Sequence, residues 1–143
     1  MLARTLLAGG VLMTLAACVS TPEAHPLEGT EWQLAAIDTT GSTTTLDAPL
    51  QARHTIAFGP GGQLAMQLDC NRGRASWSAG KPRSGAGAIT IGPVASTRML
   101  CPEPSFGNQL AGLTAARSYV LTSDRRELLI ETGTLRFTFA ARP

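Results

Sequence analysis

Cysteine carries most of the chemistry this sequence can offer. Cys18 closes the run Leu15-Ala16-Ala17-Cys18, which follows an apolar stretch and a single early cation, Arg4. Small residues leading into a cysteine at that place read as a lipobox. Its sulfur would take a diacylglyceryl group and become the first residue of the mature chain. The preceding stretch is too short to span a bilayer and has the flanks of a signal peptide. Two further cysteines remain, Cys70 and Cys101, separated by 31 positions. An even count in an exported protein favours a disulfide. The alternatives are free thiols, a thiol nucleophile or a metal site. Neither cysteine has a His partner nearby in sequence, and two thiols alone make a poor zinc site.

Beside the pair stand polar residues that can bind anions. Asp69, Asn71 and Arg72 flank Cys70, and Arg98 lies shortly before Cys101. A disulfide would bring these four into one neighbourhood. Two guanidinium groups and an amide there suit a carboxylate or phosphate. The competing reading is structural: Asp69 pairs with an arginine and Asn71 caps a turn.

No catalytic constellation is expected. The chain has two histidines. His25 falls in a segment read as a tether, and His54 reads as a partly exposed surface residue at a strand entry. There is no Gly-x-Ser-x-Gly elbow, and the carboxylates are scattered. Gly59-Pro60-Gly61-Gly62 lacks a following Lys and helix, so it is a turn rather than a phosphate cradle. Neither a cofactor nor a metal is implied.

The composition is consistent with this reading. With 12 basic and 10 acidic residues in 143, the chain has no basic stripe for nucleic acid. Removing residues 1–17 takes away one arginine and leaves the rest near neutral. The expected organisation is a signal peptide over 1–17, a lipidated tether over 18–26 and one folded domain over 27–143. The membrane link is the anchor at Cys18. The domain is expected to be a monomer.

Alternation of apolar residues predicts the elements that must position these groups. Trp32, Leu34 and Ala36 mark a first strand, and the Thr-rich stretch 39–45 reads as a loop that Pro49 extends. Ile56 and Phe58 mark a strand that turns at Gly59–Gly62 into one carrying Leu64, Met66 and Leu68. Residues 74–78 and 88–94 are further strands around an exposed loop, Gly80–Gly87. Phe106, Leu110, Leu113 and Ala116 have helical spacing. Tyr119 and Leu121 mark a strand before a terminal hairpin carrying Leu128, Ile130, Phe137 and Phe139. The fold class is mainly β with one α-helix, an antiparallel meander curled into a small barrel.

Three segments then match a known pattern. Gly29-Thr30-Glu31-Trp32-Gln33-Leu34, Asp69-Cys70-Asn71-Arg72 and Thr97-Arg98-Met99-Leu100-Cys101-Pro102 resemble, in order, segments of the META domain of HslJ-like heat-shock lipoproteins. The resemblance implies a compact, barrel-like β fold with a helix. It also implies a cell-envelope role in stress or drug tolerance, without established catalytic residues. Gly73 departs from the family pattern, which often has an aromatic residue there. Val19, after Cys18, carries no Asp that would retain the protein at the inner membrane. The expected place is therefore the periplasmic face of the outer membrane, with an unidentified envelope protein as partner. Two other functions fit the sequence. One is inhibition of a lysozyme or protease through the loop Gly80–Gly87. The other is binding of a small apolar ligand by inward Leu64, Met66, Leu68, Phe137 and Phe139.

Overall fold

The computed structural model describes residues 17–142. The segment read as a signal peptide lies almost wholly outside the described residues. Ten strands form the domain. In chain order, β1 is Thr30–Thr39, β2 Ser42–Thr45, β3 His54–Phe58, β4 Gln63–Leu68 and β5 Asn71–Ala79. They continue as β6 Ala86–Ile91, β7 Ala95–Ser96, β8 Ser118–Leu121, β9 Glu127–Glu131 and β10 Arg136–Ala141. The pairing runs β10-β9-β8-β6-β5-β4-β3-β1, and β1 also pairs with β10. That last ladder closes eight antiparallel strands into a barrel, which leaves the ring itself without an edge. β2 lies outside the ring on β1, and β7 lies on β5.

Alternation holds along most strands, and the side chains it sends inward form one core. Leu64, Met66, Leu68, Phe137 and Phe139 are all buried in it, packed against Trp32, Phe58 and Leu110. These residues occupy the interior themselves, as expected for a barrel of this size. β1 departs from simple alternation. Its register on β10 shifts between Leu34 and Ala36, a β-bulge, so Ile37 is buried instead of Ala36. The Ala35 carbonyl freed there accepts the Leu46 N–H at 2.9 Å.

The stretch 39–45 is not simply a loop. Gly41 turns the chain at a left-handed φ of 85°, and the β-branched threonines that follow pair with β1 as β2. Pro49 does not prolong an irregular region either. It sits in the first turn of α1, Ala48–Arg53, where its missing N–H costs nothing, and the Asp47 carboxylate caps the Leu50 N–H at 3.0 Å. The expected later helix is shorter than its stripe. α2 spans Gly107–Ala111 and tightens into a 3-10 turn over Gly112–Ala115. Leu110 and Leu113 are fully buried from it. Gly107 is required for that packing, because a Cβ there would stand 2.6 Å from the Leu68 carbonyl oxygen.

The barrel has two distinct ends. At one, His25 bonds the Gly80 carbonyl at 3.0 Å and the Tyr119 hydroxyl at 3.1 Å, and stacks edge-on to Trp77 and Tyr119. The segment read as a tether is thus fixed to the barrel by its His25. The loop after Gly80 shares this end and is shorter than expected, because β6 begins at Ala86. At the other end lie the β4–β5 turn, α1, α2 and the segment after β7. β5 runs from one end to the other, about 27 Å at the rise of an extended strand.

Candidate functional site

The site is built on the two-residue turn Asp69–Cys70, which joins β4 to β5. Asp69 adopts a left-handed φ of 62°, a conformation that aspartate tolerates better than most residues. The turn puts Cys70 against Cys101, and the two form a disulfide with Cα atoms 5.6 Å apart. One residue later, Asn71 takes hold of the facing chain. Its Oδ1 accepts the Met99 N–H at 2.7 Å and the Thr97 hydroxyl at 2.9 Å. Its Nδ2 donates to the Met99 carbonyl at 2.9 Å. The Thr97 N–H donates to the Arg72 carbonyl at 3.0 Å, and the Arg72 N–H donates to Thr97 Oγ1 at the same distance. These bonds carry the attachment of β7 to β5 onward to Met99, beyond the strand's own end at Ser96. Arg98, Met99 and Leu100 are held with their side chains outward; Met99 is 61% exposed and Leu100 99%.

The four polar residues expected to share one anion site do not. Asp69 turns inward and is fully buried. It pairs with Arg53, whose Nη1 lies 2.9 Å from Oδ1. That contact is an ion pair off the hydrogen-bond axis, and neither carboxylate oxygen is hydrogen-bonded among the described residues. Asn71 is spent on the segment 97–101. Arg72, next in the strand, points outward by the period of two. It lines a groove of about 660 Å³ over the sheet together with Arg74 and the Glu31–Arg142 ion pair. Arg98 lines a separate groove of about 500 Å³ between its own segment and α2. Anion recognition by Arg72 and Arg98 together is therefore not supported by their placement.

His54 also departs from expectation. It is fully buried rather than at the surface. Its Nδ1 bonds the Leu50 carbonyl at 2.7 Å, and its Nε2 accepts the Phe106 N–H at 3.0 Å. An acceptor at Nε2 fixes the Nδ1–H tautomer. The imidazole ties α1 to the entry of α2 and has no free nitrogen for chemistry. Its position two and four residues before Ile56 and Phe58 was the signal that it faces inward. Arg53 and Gly107, both essential to this end, carry no comparable signal in sequence.

Among the described residues, no group of three or more His, Cys, Asp or Glu is placed to hold a metal ion. No helix among them is long and apolar enough to cross a membrane. Cys18 is unpaired and exposed.

A protein-family model of the META domain matches residues 25–142. The chain belongs to the META domain family. Of the three META-like segments, two meet in space: Asp69–Arg72 and Thr97–Pro102 form the disulfide and the asparagine clamp. The first, Gly29–Leu34, lies at the opposite end, where Thr30 accepts the Trp32 indole N–H at 2.7 Å. Solved structures are similar in fold at low identity. An NMR structure of a protein from Burkholderia xenovorans is similar at a TM-score of 0.57 and 18% identity, over 92% of this chain and 99% of that one. The crystal structure of a DUF4847 family protein from Bacteroides vulgatus is similar at 0.53 and 13%, over 80% of this chain and 94% of that one. At such identities the likeness concerns fold alone. No curated protein matches the chain.

Proposed function

We propose that this META domain protein is anchored to a membrane through lipidated Cys18. On this reading it works in the cell envelope by contacts with another protein, not by catalysis, in support of stress or drug tolerance. The observation that carries the reading is the polarity of the barrel. The chain leading from Cys18 joins the domain at the His25 end, and the braced segment Arg98–Leu100, with Met99 and Leu100 exposed, is presented at the other. His25 lies seven positions after Cys18, a reach of at most about 25 Å. An anchor at Cys18 would keep the His25 end near the bilayer and leave the segment facing the periplasm. Met99 and Leu100 stand side by side in water on a braced segment, and adjoining exposed apolar side chains suit a protein contact.

The expected site is the periplasmic face of the outer membrane, as the lipobox and Val19 suggest. Inhibition of a hydrolase through residues 80–87 fits less well, because that loop stands at the anchored end. Mass spectrometry of the processed chain tests the anchor: the first residue should be a diacylated or triacylated Cys18. Deleting the gene should sensitise cells to heat, detergent or a bulky antibiotic. Wild-type protein should restore tolerance and Cys18→Ser should not. An unmodified amino terminus, or unchanged tolerance under every stress, overturns the reading.

A further inference from the structure

We propose that the groove between the segment Ser96–Cys101 and helix α2 binds an extended peptide of a partner protein by strand addition. The inference rests on the protein-contact reading above and names the kind of contact. The Thr97 N–H and both Met99 backbone groups turn toward β5, where the Arg72 carbonyl and the Asn71 side chain satisfy them. By the period of two, Arg98 and Leu100 turn theirs the other way. The backbone N–H and C=O groups of these two residues form no hydrogen bond among the described residues. Two residues with all four groups free make a short open edge beyond β7, outside the closed ring; the other outlying strand, β2, lies on β1 and has an open edge of its own. An edge of this kind is a template for another strand.

The space beside it fits a peptide. The groove holds about 500 Å³. The segment forms one wall. Asn108 and Ala111 of α2, with Thr114 beyond, form the other, and Leu68 and Val94 give it apolar surface. An entering strand would cover Leu100 and Met99, the two most exposed large apolar side chains of the folded domain. It would also meet Arg98, which has no ion-pair partner among the described residues. The favoured occupant is thus a segment of alternating aliphatic and acidic residues. The disulfide and the Asn71 clamp hold the receiving edge in place beforehand, which lowers the ordering cost of binding.

The test uses the full chain carrying Cys18→Ser with its disulfide intact, and two fluorescein-labelled octapeptides alternating valine and glutamate. One has ordinary amides, and the other is N-methylated at every second residue. Anisotropy should show saturable binding of the first in the range of about 10–100 μM and at least tenfold weaker binding of the second, since methylation removes the ladder donors. Leu100→Asp, at a fully exposed position that folding does not depend on, should weaken binding about tenfold. Arg98→Glu should transfer preference to a valine–lysine octapeptide. Amide shifts should move at Arg98, Leu100 and Asn108. Absence of saturable binding below about 1 mM, equal binding of the methylated peptide, or no effect of Leu100→Asp overturns the proposal. Any of these leaves the anchor and stress-tolerance reading intact, because that reading is decided by lipid mass and cell phenotype.

Discussion

Replacing Asn71 with alanine separates the clamp from the disulfide that sits beside it. The wild-type side chain makes four hydrogen bonds to the facing segment, two with the Met99 backbone, one with the Thr97 hydroxyl and a long one to Cys101 Sγ at 3.4 Å. A net hydrogen bond contributes roughly 0.5–1.5 kcal/mol, and these lie at the solvent edge, where water replaces the lost partner. The expected cost is about 1–2 kcal/mol. In urea this should lower the midpoint by roughly 0.5–1 M with the slope unchanged. The local effect should exceed the global one. Cys101 stays bound, so the segment opens between Thr97 and Cys101 without unfolding the barrel. Hydrogen exchange should show the Met99 and Thr97 amides at least about tenfold faster, with amides of β4 changed only by the global loss. A double-mutant cycle with Cys70→Ser/Cys101→Ser should be non-additive, because both devices order the same segment. If Asn71→Ala leaves Met99 exchange at its wild-type rate, the clamp is not what holds this segment.

The other perturbations probe what surrounds the clamp. Cys70→Ser with Cys101→Ser should cost roughly 3–4 kcal/mol by the loop-entropy argument for a 31-residue separation, measured by urea unfolding against the oxidised protein. Gly107→Ala should destabilise by about 2–4 kcal/mol, since its Cβ would strike the Leu68 backbone. Gly112→Ala should instead stabilise by about 0.4–1 kcal/mol, since its φ of −66° suits alanine and nothing lies within 4 Å of the added atom. Thermal melts of the two variants should therefore move in opposite directions. Burial pushes the Tyr119 hydroxyl above its ordinary pKa of 10.0. Its contribution is whole below pH 10, where the phenol is neutral folded and unfolded, and is lost as pH rises through the raised folded pKa. Tyr119→Phe should remove that alkaline decline and cost about 1 kcal/mol at neutral pH through the lost bond to Gly80.

Much of the barrel was legible because strand alternation is a local property. Leu64, Met66 and Leu68, and likewise Phe137 and Phe139, announce their face without knowledge of any partner. What escaped was set by non-local or compensating geometry. Ala36 follows Trp32 and Leu34 in perfect alternation, yet a bulge on the ladder with β10 moves the inward position to Ile37. The threonines 43–45 look like loop until β1 supplies an edge for them. Asp47 and Pro49 did carry a helix-start signature, an acceptor two residues ahead of a proline, but six residues give too little periodicity for it to stand out.

The candidate site shows why nearness along the chain is a poor guide to a shared function. Asp69, Asn71 and Arg72 fall within four positions, and the disulfide does bring Arg98 close. Yet the turn sends Asp69 down to Arg53, and strand parity then divides Asn71 from Arg72. The same parity that scatters the imagined anion site creates the exposed edge. Thr97 and Met99 can be held from one side only if Arg98 and Leu100 face the other. Every bond that tightens the clamp thus fixes more firmly the four unsatisfied backbone groups of two residues and an aliphatic side chain in water. Were rigidity alone the purpose, a polar residue at position 100 would serve the fold as well as leucine. The place to look for selection on function is therefore residues 98 and 100, and not the cysteines and asparagine that hold them there.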